Sequence, residues 1–104
     1  MPLVKVAQLS QLPANSVTEV NEGDAIYAIC NVAGRVTALS GTCPHRGGPL
    51  GQGAIRGNSV VCPWHAWQWD CVTGANDFDP TMHVPAFAVQ VAGDDILIEL
   101  PERA

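Results

Sequence analysis

Residues 43–48 read CPHRGG, and residues 62–67 repeat the order of cysteine, proline and histidine as CPWHAW. Cys43 and His45 are separated by one residue, whereas Cys62 and His65 are separated by two. Thiolate sulfur and imidazole nitrogen suit iron–sulfur, zinc or copper centres, and they do not suit calcium or magnesium. The two segments together therefore predict one metal site built from these four side chains.

The chain between the two segments predicts how they meet. Residues 54–61 hold two short apolar runs separated by the turn sequence RGN at 56–58. Such a pattern is typical of a β-hairpin, and a hairpin returns the chain to the end from which it started. We therefore expect the two Cys–His segments to face each other, each contributing one thiolate and one imidazole.

The order of the ligands discriminates among the metals. Structural zinc sites usually pair cysteine with cysteine and histidine with histidine in short knuckles. Both pairs here are mixed, so zinc fits the spacing poorly. A 2Fe–2S cluster fits it better, because one iron can take both cysteines and the other both histidines. A structural zinc module that acts as an interaction domain is the remote alternative.

No long segment keeps the helical period of apolar residues, and short β-branched runs bounded by turn formers predict an all-β fold. Further turns are expected at 33–35, 73–75 and 92–95, each of which contains glycine. Alternate residues from Ile26 to Val32 should share one face of a strand. The predicted strands are Val4–Leu9, Val17–Val20, Ala25–Val32, Arg35–Ser40, Ala54–Arg56, Ser59–Val61, Trp67–Cys71, Ala86–Val91 and Ile96–Leu100.

Two segments, 40–53 and 76–85, are too rich in glycine, proline and polar residues to be strands. Loops mounted on a rigid sheet are where chemistry is usually found. We expect both loops and the turn at 62–66 to converge at one end of a small barrel. His83 in the second loop is interpreted as a solvated residue, and Cys30 and Cys71 are interpreted as structural residues.

Length and charge limit the possible functions. The 104 residues predict a single domain, 1–104, and the net charge of −5 disfavours nucleic acid and anionic membranes as partners. The sequence contains neither a signal peptide pattern nor an apolar stretch of the ~18–20 residues that would span a bilayer. We therefore expect a cytoplasmic protein, in which cysteines serve as metal ligands or free thiols rather than as disulfides.

The segments CPH at 43–45 and CPWH at 62–65 resemble the Rieske signature, and the likeness extends through WQWDCVTG at 67–74 and VPAFAVQV at 84–91. The resemblance implies a small antiparallel β-barrel or sandwich with a cluster-binding subdomain. Two ligand loops and a proline-containing cover loop would form that subdomain around one 2Fe–2S cluster. It also implies that Cys43 and Cys62 hold the inner iron, while His45 and His65 hold the outer iron.

The sequence departs from the high-potential Rieske proteins of respiratory chains. Those proteins carry a disulfide beside the cluster, but Gly48 and Trp64 stand at the matching positions here. They also donate serine and tyrosine hydroxyls to the cluster sulfurs, where this chain has Trp67 and Trp69. Fewer donors lower the reduction potential, so we expect a value near −150 mV, at the low end of the Rieske range. The departures favour a Rieske-type ferredoxin.

The sequence shows no glycine-rich nucleotide fingerprint, no site for a second, mononuclear iron and no nucleophile–base pair, which argues against an enzyme. The resemblance implies a one-electron carrier between a flavin-dependent NAD(P)H reductase and the terminal oxygenase of an aromatic-ring dioxygenase system. Both partners would dock near His45 and His65. The alternative is the small Rieske-like subunit of an NAD(P)H-dependent nitrite reductase, and the sequence does not decide between them.

Overall fold

The computed structural model describes residues 3–22, 25–42, 49–63, 67–77, 79 and 81–99. These residues form ten β-strands and two one-turn 3-10 helices, Leu9–Gln11 and Leu50–Gln52, in agreement with the predicted all-β fold. Neither helix in this part of the chain is long or apolar enough to cross a membrane. The strands are β1 Leu3–Gln8, β2 Ser16–Glu22, β3 Ala25–Val32, β4 Arg35–Ser40, β5 Ala54–Arg56, β6 Ser59–Val61, β7 Gln68–Asp70, β8 Ala86–Phe87, β9 Val89–Ala92 and β10 Asp95–Glu99.

The strands form three antiparallel sheets. The middle sheet has the order β2–β3–β4–β8, and β3 pairs along most of its length with both neighbours. A second sheet has the order β1–β10–β9, and a third has the order β5–β6–β7. This arrangement of short antiparallel sheets confirms the predicted class of β-barrel or sandwich fold.

Strand β3 is buried on both faces, because its side chains alternate between two cores. Ala28 and Cys30 belong to the first core, whereas Tyr27 and Ile29 belong to the second. The first core comprises Ala28, Cys30, Leu39, Leu50, Val60, Cys62, Trp69, Cys71 and Val84. The second comprises Leu12, Tyr27, Ile29, Ala38, Ile96 and Ile98. The β5–β6–β7 sheet therefore packs against the first-core face of the middle sheet, and the middle sheet is its platform.

The predicted strand bounds agree with the structure for β3, β4, β5 and β6. The single strand predicted for Ala86–Val91 is wrong, because the structure contains two strands there. β8 pairs with β4 in the middle sheet, and β9 pairs with β10 in the second sheet. Between them, the Ala88 carbonyl accepts a hydrogen bond of 3.0 Å from the backbone N–H of Glu99. The chain therefore changes sheets at Ala88.

Each of the four predicted turns contains a glycine in the left-handed conformation, which costs glycine little. At Gly74 the turn also needs the absence of a side chain, because a Cβ atom there would lie 2.2 Å from the carbonyl oxygen of Val84. This close approach fixes the turn after β7 against the chain that follows it. The four φ angles are 93° at Gly34, 60° at Gly57, 78° at Gly74 and 62° at Gly93.

Candidate metal centre

The second Cys–His segment connects β6 to β7, and its residues 64–66 lie outside the described residues. Cys62 follows β6 directly, and its backbone N–H donates a hydrogen bond of 2.7 Å to the carbonyl of Trp67. The strands pair up to this turn, since Val61 lies opposite Gln68. Cys62 is 1% exposed and belongs to the first core. The turn therefore holds a cysteine at its base whose side chain is shielded from water.

The first Cys–His segment, 43–48, lies outside the described residues, but the chain on both sides of it is described. Thr42 and Pro49 form an antiparallel bridge across its base. Beside the bridge, the backbone N–H of Leu50 donates a hydrogen bond of 2.9 Å to the carbonyl of Gly41. The residues that precede and follow the segment are therefore joined to each other.

The hairpin predicted between the two segments is confirmed, and it brings their bases together. Ala54 lies opposite Val61, so the chain that follows the first segment runs beside the residue that precedes Cys62. The contact is close at Gly53, where a Cβ atom would lie 1.9 Å from the carbonyl oxygen of Val61. Leu50 is fully buried in the same core as Cys62.

The segment 76–85 is hydrogen-bonded to β7, the strand that pairs with β6 of this hairpin. The backbone N–H of Asp77 donates a hydrogen bond of 3.2 Å to the carbonyl of Gln68, the first residue of β7. Asn76 is 2% exposed, and its side-chain oxygen accepts a hydrogen bond of 3.0 Å from the backbone N–H of Asp79. His83 is exposed, as predicted. The described part of this segment therefore lies beside the base of the second Cys–His turn.

Of the four predicted ligands, the structure describes Cys62. The other three, Cys43, His45 and His65, lie outside the described residues, and the four-ligand set stays a prediction. Within the described ranges, no three side chains of His, Cys, Asp or Glu are grouped so that they could hold a metal ion. The structure does bring together the described residues that flank the two Cys–His segments.

Trp67 and Trp69 show whether the surroundings of Cys62 suit a 2Fe–2S cluster. Trp69 is fully buried in the core of Cys62, and the ring of Trp67 lies 6.2 Å from it between centroids. The Trp69 indole N–H is buried, and no described residue accepts a hydrogen bond from it. A buried donor without an acceptor costs about 1–3 kcal/mol. A core with a shielded cysteine and an indole N–H in need of an acceptor fits a 2Fe–2S cluster, whose sulfur atoms accept hydrogen bonds.

The sequence predicts Cys30 and Cys71 to be structural residues and disfavours a disulfide between them; both are buried in the first core as free thiols. The sequence does not predict the hydrogen bond between the two thiols. The cysteines are 41 positions apart and lie in different parts of the fold. No local pattern in the sequence signals such a contact.

Comparison with known proteins places the chain in a family. The Rieske [2Fe-2S] domain family matches residues 2–93. The chain is 31% identical over 102 residues to the ferredoxin component of biphenyl 2,3-dioxygenase from Rhodococcus jostii strain RHA1, covering 96% of this chain and 94% of that one. It is 31% identical over 103 residues to the ferredoxin subunit of 3-phenylpropionate/cinnamic acid dioxygenase from Shigella boydii serotype 4, covering 90% and 97%.

Solved structures give the same fold. The ferredoxin of carbazole 1,9a-dioxygenase from Nocardioides aromaticivorans IC177 superposes with a TM-score of 0.85 at 28% identity, covering 94% of this chain and 97% of that one. A chain from a complex of reduced oxygenase and oxidized ferredoxin in carbazole 1,9a-dioxygenase superposes with a TM-score of 0.83 at 26% identity, covering 92% and 91%. A protein described as an NADH-dependent nitrite reductase small subunit, from Mycobacterium tuberculosis, reaches a TM-score of 0.83 at 18% identity, covering 93% of each chain, a likeness of fold alone.

The family match covers most of the chain, and the two ferredoxin relatives match it almost from end to end. The first core offers a shielded cysteine and a buried indole N–H without an acceptor among the described residues, and both fit a 2Fe–2S cluster. The chain therefore belongs to the Rieske [2Fe-2S] domain family, and its cofactor is the 2Fe–2S cluster of that family.

Proposed function

We propose that the protein is a low-potential one-electron carrier that catalyses no reaction of its own. It takes electrons from a flavin-dependent NAD(P)H reductase and passes them to the terminal oxygenase of an aromatic-ring dioxygenase system. The observation that carries this proposal is the likeness to two dioxygenase ferredoxins, of which the chain covers 94% and 97%. The bound cluster supplies the one-electron chemistry.

We propose Cys43, His45, Cys62 and His65 as the cluster ligands. Support comes from the buried position of Cys62 and from the closeness of the two segment bases at Gly53 and Val61. The first core keeps water from the cysteine, since Leu50, Val60 and Trp69 are all fully buried around it. Apolar shielding of this kind is one of the features that set the potential of a metal site.

A potentiometric titration tests the proposed role. Stepwise reduction of the isolated protein, followed by visible absorbance, should give a single one-electron transition near −150 mV, the low end of the Rieske range. A midpoint near the upper end of that range, about +300 mV, would place the protein with the high-potential proteins and contradict the proposal. So would a two-electron transition.

Salt dependence tests the proposed docking. The protein carries a net charge of −5, and Asp77 is exposed on the segment fastened to the base of the second ligand turn. Acidic groups beside the site should steer a partner that has a basic patch. Reduction by the flavoprotein, measured by stopped flow, should therefore slow roughly tenfold between low and high salt.

A pair of charge variants makes the docking test specific. Asp77→Asn should slow reduction about twofold at low salt, because one steering charge is lost. Asp95→Asn removes the same charge from β10, where Asp95 forms a salt bridge of 3.0 Å with Lys5, and should leave the rate unchanged. Equal effects of the two variants, or a rate indifferent to salt, would contradict docking at this face.

The indole N–H of Trp69, from which no described residue accepts a hydrogen bond, gives a prediction about the reduction potential. We propose that its N–H donates a hydrogen bond to cluster or cysteine sulfur, which stabilises the reduced state. Trp69→Phe should therefore lower the midpoint potential by about 50 mV, equivalent to roughly 1 kcal/mol for one electron. Tyr27→Phe, which alters an aromatic residue of the second core, should leave the potential unchanged. A Trp69→Phe variant with the wild-type potential would show that the indole N–H does not reach the sulfur atoms.

The alternatives from the sequence are less well supported. A nitrite reductase small subunit shares the fold at 18% identity, and a likeness of that degree carries no functional argument. Stable co-purification with a sirohaem-containing large subunit would favour that role over the transient docking proposed here. A zinc interaction module is set aside, because the cofactor of the family is a 2Fe–2S cluster.

A further inference from the structure

Two cysteines that are not among the predicted cluster ligands lie side by side in the first core. Cys30 is in β3 of the middle sheet, and Cys71 directly follows β7 of the third sheet. Both are buried and carry no disulfide, and a hydrogen bond joins their thiols. The pair therefore spans the contact between the platform and the sheet that holds the second ligand turn.

A surface cavity borders Cys71, one member of this pair. Its volume is about 340 Å³, and Cys71, Thr37 and Arg35 are among its lining residues. Thr37 is the cross-strand partner of Cys30, so Cys30 lies behind the cavity wall, whereas Cys71 is part of that wall. Cys71 is only 1% exposed, whereas Arg35 and Asn58 on the rim of the cavity are exposed. Of the two cysteines, Cys71 is the one that borders the cavity.

The two thiols differ in acidity. The hydrogen bond from Cys30 holds the pKa of Cys71 below its ordinary value, against burial and the nearby Asp70 carboxylate. The same hydrogen bond, together with burial, raises the pKa of Cys30 above its ordinary range. Because the thiolate is the nucleophile in thiol chemistry, Cys71 is the first thiol to react.

We propose that Cys30 and Cys71 are a thiol oxidation site, at which hydrogen peroxide produces an intramolecular disulfide that a dithiol reductant reverses. The inference rests on the contact of the two thiols and on the cavity that borders Cys71. It goes beyond the electron-carrier function and does not depend on it.

The chemistry balances in two steps. The Cys71 sulfur attacks one oxygen of the peroxide, the O–O bond breaks, and Cys71 becomes a sulfenic acid with release of water. The Cys30 sulfur then attacks the Cys71 sulfur, the S–O bond breaks, and a second water leaves. Two thiols lose two electrons and two hydrogens, and one peroxide becomes two waters. A dithiol reductant reverses the reaction by thiol–disulfide exchange, and is itself oxidised to a disulfide.

The proposed disulfide would enclose both predicted ligand segments in one covalent loop. It closes a covalent loop from residue 30 to residue 71, and this loop contains Cys43, His45, Cys62 and His65. Both predicted ligand segments would then be tied to the platform through one bond. A closed loop has fewer unfolded conformations, so opening of the cluster-binding sheet becomes rarer.

Peptide mapping of the intact holoprotein tests the proposal. The protein is treated with stoichiometric hydrogen peroxide while visible absorbance follows the cluster, and then quenched in acid with a thiol-alkylating reagent. We expect a Cys30–Cys71 crosslinked peptide, while Cys43 and Cys62 are recovered in alkylated form without oxidation. The cluster absorbance should persist until the quench. Recovery of Cys30 and Cys71 in alkylated form, or oxidation of Cys71 to sulfinic acid without a crosslink, would overturn the proposal.

Single variants assign the two steps. In Cys30→Ala the sulfenic acid has no partner, so the sulfenate reagent dimedone, added in denaturant after the peroxide has been removed, should label Cys71. In Cys71→Ala the same reagent should leave Cys30 unlabelled, because Cys30 is completely buried while the peroxide is present. Labelling of Cys30, or no labelling of Cys71 in Cys30→Ala, would overturn the assigned order. Cluster absorbance reports whether each variant is folded, and the wild-type map decides the disulfide even if a variant is not.

Cluster retention tests the consequence. Iron release to a chelator in mild denaturant should be at least ~10-fold slower in the oxidised protein than in the same sample after reduction with dithiothreitol. Equal release rates would show that the disulfide does not secure the ligand segments.

Discussion

Cys62→Ala is expected to yield a colourless protein with less than about a tenth of the iron and acid-labile sulfide of the wild type. The side chain of Cys62 is at the base of the β6–β7 turn and is shielded in the first core. With Cys62 as the proposed ligand, its loss would remove one of the bonds that hold the cluster, and the remaining proposed ligands could not complete the coordination of that iron. Iron and sulfide analysis of anaerobically purified protein, with its visible spectrum, measures the outcome.

Cys71→Ala is the matched control for this experiment. It makes the same substitution in the same core, at a residue with nearly the same burial, but not at a predicted ligand. It should retain the cluster in full. A Cys62→Ala protein with the iron and sulfide content of Cys71→Ala would contradict the assignment of Cys62 as a ligand.

The second large effect is expected from Gly53→Ala. The new Cβ atom would lie 1.9 Å from the carbonyl oxygen of Val61 and 3.2 Å from that of Leu50, so backbone has to move. The strand that moves leads directly into Cys62. We therefore expect a loss of about 3–5 kcal/mol in the free energy of unfolding, in the range of severe overpacking, and a lower iron content. Urea unfolding followed by circular dichroism measures the first effect, and iron analysis measures the second.

Gly57→Ala provides the comparison within the same hairpin. Gly57 has a φ of 60° at the hairpin tip, and no atom lies within 4 Å of a Cβ placed there. Its substitution should cost only about 1–2 kcal/mol, the usual penalty for a left-handed alanine, without loss of iron. If the two variants lost equal stability and equal iron, the close approach at Gly53 would have no role in holding the site.

The strands of the middle sheet and of the β5–β6 hairpin could be predicted from sequence, because alternating apolar residues and glycine turns are local signals. The bounds of β3 to β6 show this. The break at Ala88 could not be predicted, since the apolar pattern runs through it unchanged. Which sheet a strand joins depends on partners distant in the chain, here β4 for β8 and β10 for β9.

The predicted site rests on the spacing of cysteine and histidine, and the structure adds the framework around it. The hairpin Ala54–Val61 was predictable from its turn and does bring the two segment bases together. The contact at Gly53, the buried Trp69 indole without a described acceptor and the pairing of Cys30 with Cys71 were not predictable. The contact at Gly53 depends on backbone geometry, the Trp69 indole on side-chain direction, and the cysteine pair on residues far apart in sequence; a periodic pattern contains none of these.

Electron paramagnetic resonance of the dithionite-reduced protein tests the central claim most directly, because the signal reports which atoms bind the iron. The account predicts the spectrum of a reduced 2Fe–2S cluster whose g-values are displaced from those of all-cysteine clusters, with nitrogen couplings from two histidines. An all-cysteine spectrum, or a reduced protein without an iron–sulfur signal, would contradict it.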